Sequence, residues 1–435
     1  MKTSSLLYIL LLAAGIIGLG LLTMPAFAQD AGKDQELQRV IDAQQKQLNA
    51  QQNQLDAQQK QLDTQRQLLQ ELQTQIESPA EEAKTTVQTP GGKVVTSGGG
   101  KRVKLAISGQ VNRAVNMADD GKNTKAYYVD NDVSNSRVRF VGTAKATDDL
   151  TIGSKIEVAI APNESSDVSQ GNEESGDFFD QRWAEVSLDS KRFGKLSLGK
   201  GDTASNNSSQ VDLSKTDVVL YSSIADIAGG LLFRQKNADD TLTDVGVSDA
   251  FRDFDGLSRR TRVRYDTPTF SGFHLATSAV SDQRYDGSLW WGGQGFGFKA
   301  AGAAAIAFPN QDDIDYQYNG SFSLLHEATG LNLTFSAGLL QRDNQGDAGN
   351  FYTKAGWLTR FFSFGETAFG VDYTRSMNLP TGRDDGFSVG AAVVQQFEEY
   401  GTELYVQYRI YSLDRDADPN VQDINVGTIG ARVKF

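Results

Sequence analysis

The chain has 435 residues, a formal net charge of −13, only 2 histidines and no cysteine. Such acidity argues against a nucleic-acid partner, which needs basic surface, and the missing thiols exclude disulfides, thiolate metal sites and cysteine nucleophiles. Length leaves the domain count open, because one large closed sheet can absorb most of a chain this long.

At the N-terminus, Lys2 gives a short positive region, Leu6 to Leu22 is continuously apolar, and Ala26-Phe27-Ala28 before Gln29 has the small-x-small form of a signal peptidase site. Residues 1–28 are read as a secretory signal, with a retained anchor as the alternative because the apolar run is nearly long enough for one. No later stretch reaches about 18 apolar residues, so any membrane span in the mature chain has to be built from strands.

Residues 29–78 carry a seven-residue repeat. Ile41, Leu48, Leu55, Leu62, Leu69 and Ile76 fall seven apart, and Leu37, Gln44, Gln51, Gln58, Gln65 and Leu72 form the second row of the seam. Sustained heptads predict an α-helical coiled coil that self-associates, weakened by its amide layers but restricted by them in register and oligomer state. An unstructured Gln-rich tract is the competing reading. Pro79, Pro90, Gly91, Gly92 and Gly98-Gly99-Gly100 end the helix and predict a flexible linker over 79–102.

From 103 to 435 the period changes to two. Leu404, Val406, Tyr408 and Ile410 alternate with Glu403, Tyr405, Gln407 and Arg409, and Thr367, Phe369, Val371 and Tyr373 alternate with Glu366, Ala368, Gly370 and Asp372. One apolar and one polar face per strand suits an all-β transmembrane barrel, although a soluble sandwich alternates in the same way. About sixteen antiparallel strands are expected, from 103–117 and 133–146 through to 423–435, with tight connections such as Thr147-Asp148-Asp149 on the periplasmic side and longer polar ones outside. Phe435 ends the last strand on the face of Val433, Ala431 and Ile429, in the manner of a membrane-assembly signal.

Arg260-Thr-Arg262-Val-Arg264-Tyr265-Asp266-Thr-Pro268-Thr-Phe270-Ser-Gly272-Phe273 resembles the strand-turn-strand motif of trimeric Gram-negative outer-membrane porins, and Lys191-Arg-Phe-Gly194-Lys-Leu-Ser-Leu198-Gly199-Lys-Gly201 resembles one of their earlier strands. Gly194 to Ser214, Asp315-Tyr-Gln-Tyr-Asn-Gly320 and the heptad prefix are most similar to the DcaP-like subgroup associated with dicarboxylate uptake. The resemblance covers residues 103–435 and implies a homotrimer of sixteen-stranded barrels in the outer membrane. It also implies that the loop of about 202–258 folds into the pore and narrows it.

A pore selects by width and by charge at its neck. Parity places Arg260, Arg262 and Arg264 on the lumen side, and Arg137 and Arg139 likewise, as a ladder that suits transient capture of small organic anions. Asp202, Asp212, Asp217 and Asp226 are the candidate loop acids facing it. The plainer alternative is that these arginines pair with wall carboxylates such as Glu366 and Asp372 and only hold the wall. Other motifs carry little: Asp414, Asp416, Asp418 and Asn420 have calcium-loop spacing, but Pro419 stands where the glycine belongs. His274 and His326 lack plausible catalytic partners, so no cofactor, no metal and no enzymatic activity are expected, with a barrel-borne hydrolase as the rival. A structural protein that tethers the membrane to peptidoglycan through a periplasmic coiled coil is the second rival, and lipopolysaccharide the expected neighbour of the outer loops.

Overall fold

A computed structural model describes residues 103–175, 179–237, 240–311, 313–343, 346–416 and 420–435, together with Gln45 and the backbone of 87–89 and 93–97. Residues 1–28, read above as a secretory signal, and the heptad positions Ile41, Leu48, Leu55, Leu62, Leu69, Leu72 and Ile76 lie outside the described residues. Among the latter, no helix is long and apolar enough to cross a membrane, which leaves strands untouched as a means of crossing.

Alternation drives the 103–435 region into sixteen barrel strands, the number expected. The first eight are β1 (Val103–Asp119), β2 (Arg137–Lys145), β3 (Leu150–Ala159), β4 (Asp180–Ser190), β5 (Gly194–Asp202), β6 (Arg259–Asp266), β7 (Phe273–Val280) and β8 (Arg284–Gly295). The second eight are β9 (Phe298–Phe308), β10 (Ile314–His326), β11 (Leu331–Arg342), β12 (Ala348–Phe362), β13 (Gly365–Met377), β14 (Asp385–Phe397), β15 (Thr402–Asp414) and β16 (Ile424–Lys434). Each pairs antiparallel with the next, and β16 closes on β1 from Asn425 against Asp119 to Lys434 against Gln110. Closure leaves the sixteen barrel strands without an open edge, the condition for a sheet in lipid.

Exposure is inverted relative to a soluble core. Val263, Tyr265, Leu275, Leu289, Val371, Leu404, Val406 and Tyr408 lie exposed on the outer face, whereas Asn116, Ser278, Asn319, Thr334, Asp372, Gln407 and Arg409 are buried on the inner one. This apolar-out, polar-in pattern separates a membrane barrel from a sandwich. Aromatics collect at the short-turn end, where Phe362, Phe364 and Phe397 stack at 4.9 and 4.8 Å and Phe193, Phe270 and Phe296 stand at hairpin tips. That is the interfacial girdle of such barrels.

Three segments differ from their sequence-based expectations. The strand expected at 133–146 begins only at Arg137, because Asp132–Ser134 form a 3-10 turn whose Val133 N donates to the Asn131 side chain. Ahead of it, Thr124–Asp130 is an additional strand that folds back on the outer half of β1. In the linker, the backbone of Val87–Thr89 pairs with Lys93–Ser97, and the latter pairs with β1 at 104–107, so 79–102 is not wholly linker.

The carboxyl-terminal residue sits at the seam. Phe435 and Gly109 exchange backbone hydrogen bonds of 2.8 and 3.0 Å, and a Cβ on Gly109 would lie 2.5 Å from the Phe435 ring and 2.7 Å from the Arg137 carbonyl. Gly109→Val is therefore expected to lower the yield of folded barrel severalfold, read as loss of the heat-modifiable band on a semi-native gel. An undiminished band would show that the Phe435 contact is dispensable for closure.

The segment between β5 and β6 runs along the inner wall. The Ala204 and Ser205 amides donate to Asp286 at 3.2 and 2.9 Å, and those of Val211 and Leu213 to Ser321 and Ser323 at 2.9 and 3.0 Å. Further along, the Ile224 and Ile227 carbonyls accept from Tyr411 Oη and Asn116 Nδ2, both at 2.7 Å. These partners stand on β8, β10, β15 and β1, so the segment crosses the lumen. Val218, Val219, Leu220, Ile224, Ile227 and Phe251 pack there with Tyr352, Tyr405 and Tyr411 as the main buried apolar cluster. A two-stranded hairpin, Leu232–Arg234 with Leu242–Gly246, stays outside the barrel sheet and leaves its strand count unchanged.

Candidate pore neck

Beside this apolar cluster, β2, β4 and β6 border a cleft of about 550 Å³. Its two sides carry opposite charge. Arg137, Arg182 and Arg259 project from the wall, while Asp226, Asp253 and Asp255 of the inward loop and Asp132 of the first outer connection face them. Tyr221, Ser223, Asn206, Asn207 and Gln210 also line it, with Val133, Ser134, Gly256 and Ser258.

The wall side is organised by one carboxylate. Glu157 is fully buried and pairs with Arg182 at 2.9 Å, Arg137 at 3.6 Å and, more closely, Arg139. Three guanidiniums on one carboxylate leave an excess of positive charge. Trp183 extends it: Lys155 Nζ lies 3.3 Å from its ring centroid and Arg259 Cζ 5.1 Å, a cation–π arrangement that holds both side chains in place. Arg259 also pairs with Asp202 at 3.3 Å.

The loop side is held by its own polar groups. Asp255 accepts from the Asn207 and Ser209 amides at 2.6 and 3.1 Å, and Asp253 from Gln210 Nε2 at 2.7 Å. Asp226 accepts from Ser223 Oγ at 3.0 Å and from Tyr221. Enclosure, and then the neighbouring Asp253, push the Asp255 carboxyl well above the usual carboxylate range. Enclosure, then Asp132, do the same to Asp226. Glu164, beside Asp132 in the second outer connection, is pushed up to about 7, by burial first and Asp132 next.

Of the residues singled out from the sequence, Arg137 and Asp226 come together in the cleft and Arg139 joins through Glu157. Arg262 is buried: it pairs with Glu185 at 2.6 Å and donates to the Asp202 carbonyl at 2.8 Å, so it secures the root of the loop. Arg264 pairs with Asp266 and donates to the Thr203 carbonyl, both at 2.7 Å. Arg260 is exposed and outside the cleft lining. Asp212 pairs with the buried Lys354, Asp217 is exposed on the loop away from the cleft, and Asp202 receives Asn206 Nδ2 at 2.6 Å besides its pair with Arg259.

Parity missed Arg182 and Arg259 for physical reasons. Arg182 is the extra residue of a β-bulge, with Trp183 opposite Glu157 and Gln181 opposite Val158, and bulges re-aim side chains. Arg259 begins a strand where the chain emerges from the inward loop. Asp253 and Asp255 share the loop with the acids that were singled out, and only their closeness to Asn207 and Ser209, remote in sequence, distinguishes them. Elsewhere, His274 stacks on Trp290 and His326 Nδ1 meets Thr329 Oγ1 at 2.8 Å. Among the described residues no group of three His, Cys, Asp or Glu is arranged to hold a metal ion.

A closed barrel with polar lumen, apolar exterior and a charged neck formed by an inward loop defines a β-barrel channel of the outer membrane. Residues 85–428 match the Gram-negative porin family, and the chain belongs to it. No curated protein matches the chain. Among solved structures it is similar to the anion-selective porin from Comamonas acidovorans, at 14% identity and TM-score 0.53, over 77% of this chain and 100% of that one. A loop L8 deletion mutant of OmpT, an outer membrane protein of Vibrio cholerae, gives 15% and 0.51 over 77% and 100%. The outer membrane channel DcaP of Acinetobacter baumannii gives 10% and 0.50 over 77% and 98%. Identities this low speak to fold alone. Family and fold are those of a diffusion channel rather than an enzyme.

Proposed function

We propose that the channel favours small organic anions, dicarboxylates among them, and works as a homotrimer whose N-terminal heptads form a periplasmic coiled coil able to reach peptidoglycan. The observation that carries the selectivity is the guanidinium triplet Arg137, Arg182 and Arg259 facing Asp226, Asp253 and Asp255, whose charge is suppressed by enclosure and neighbouring acids. Guanidinium keeps its charge at any physiological pH and binds carboxylate through a planar fork. The neck field therefore stays net attractive to anions. The resemblance to the dicarboxylate-associated subgroup supports the same solute class. Liposome swelling with succinate, glutarate and sugars of matched size tests it. Faster entry of the diacids is expected, and equal entry of sugars and diacids would leave a general porin.

The suppressed acids give the selectivity a pH dependence of definite sign. A carboxyl with raised pKa is neutral below that value and charged above it, so the acidic side of the neck, with Asp226, Asp253 and Asp255 all raised, gains charge as pH climbs above the usual carboxylate range. Anion preference is expected to be stronger at pH 5 than at pH 8. Reversal potentials in a salt gradient at the two pH values check this, and a preference that grows with pH would contradict it.

A further inference from the structure

We propose that the neck selects hydroxylated carboxylates, such as tartrate or the six-carbon sugar diacids, over bare diacids of the same length and charge; this rests on the anion-favouring reading above. The cleft has two chemistries facing each other across about 550 Å³. The wall side offers the charged donors Arg137, Arg182 and Arg259, which a carboxylate satisfies. The opposite side is rich in acceptors, the carboxyls of Asp132, Asp226, Asp253 and Asp255, all partly open to the cleft, with the hydroxyls of Tyr221 and Ser223 among them.

A bare diacid has no hydrogen-bond donor. In the neck its carboxylates meet the arginines, but its methylenes displace water from the lone pairs that Ser209, Gln210, Tyr221 and Ser223 leave free on these oxygens, and lone pairs stripped of water in a restricted polar site are costly. A chain bearing hydroxyls donates to those oxygens while its carboxylate holds the guanidiniums. A site built for hydroxyls discriminates strongly against the analogue that lacks them, whereas a wide water-filled hole does not discriminate. Neutral polyols supply the donors but not the charge, so they gain little from the wall side. The expected occupant thus carries a carboxylate at one end and donors along its length.

The test uses the full-length protein purified from outer membranes into planar bilayers, with ion-current occlusion by tartrate against succinate, galactarate against adipate, and mannitol as neutral control. Tartrate and galactarate are expected to occlude at concentrations at least about threefold lower than their bare counterparts, about one hydrogen bond's worth of affinity, with mannitol ineffective. Asp132→Ala, which removes one acceptor from the cleft lining, is expected to shrink that ratio, with the heat-modifiable band on a semi-native gel confirming a folded barrel. Equal or stronger occlusion by succinate and adipate in an anion-selective channel overturns this proposal and leaves the anion reading intact. A cation-selective reversal potential removes both.

Discussion

Exchange of Lys354 for methionine is expected to free the inward loop from the wall and raise single-channel conductance, while the barrel itself stays folded. Lys354 is fully buried on β12; its Nζ pairs with Asp212 and donates to Thr216 Oγ1 at 3.0 Å and the Leu220 carbonyl at 2.8 Å. Removing one partner of a buried ion pair leaves the other charge uncompensated, at a cost of about 3–5 kcal/mol. That cost falls on the loop, because the barrel is closed by sixteen paired strands that the side chain does not join. Larger neutral solutes should then enter liposomes. Lys354→Met with Asp212→Leu, which removes both charges, should restore much of the wild-type conductance. An unchanged conductance and exclusion limit in Lys354→Met would mean that the apolar packing of Val218, Leu220 and Ile224 holds the loop without the ion pair.

The second large effect is on selectivity. Replacing Arg137, Arg182 and Arg259 together by glutamine should abolish anion preference, and turn it into cation preference only as pH rises and Asp226, Asp253 and Asp255 ionise. At water-like dielectric a unit charge a few ångströms from the permeating ion is worth about 0.5–1 kcal/mol, so three together change the permeability ratio by about tenfold or more. Screening reduces the effect at high salt, and the experiment belongs near 0.1 M, where the Debye length is about 10 Å. Arg262→Ala makes the contrast: it strands buried Glu185 and loosens the loop root, so it should lower thermal stability and leave the sign of selectivity unchanged. A triple variant as anion-selective as the wild type would place the selecting charges elsewhere.

The barrel was legible in the sequence because its signal is local and periodic. Leu404, Val406 and Tyr408 against Glu403, Gln407 and Arg409 state which face meets lipid, and the tight and long connections state which rim they occupy. The neck was legible only in part. Alternation carries Arg137 to the lumen, but it fails at the bulge that turns Arg182 inward and at the loop exit where Arg259 enters the cleft, and it cannot tell that Arg262 is consumed by Glu185. Those outcomes depend on pairings between strands far apart in sequence. The loop acids were harder still: Asp212 and Asp226 look alike in sequence, yet one meets Lys354 and the other the cleft, a difference made by the path of the loop across the wall.

Whether the guanidinium-lined neck of this outer-membrane diffusion channel favours anions is read from the reversal potential of the wild-type protein in a potassium chloride gradient at pH 5 to 7. The proposed function predicts the sign of an anion-selective pore. A cation-selective potential across that range would contradict it.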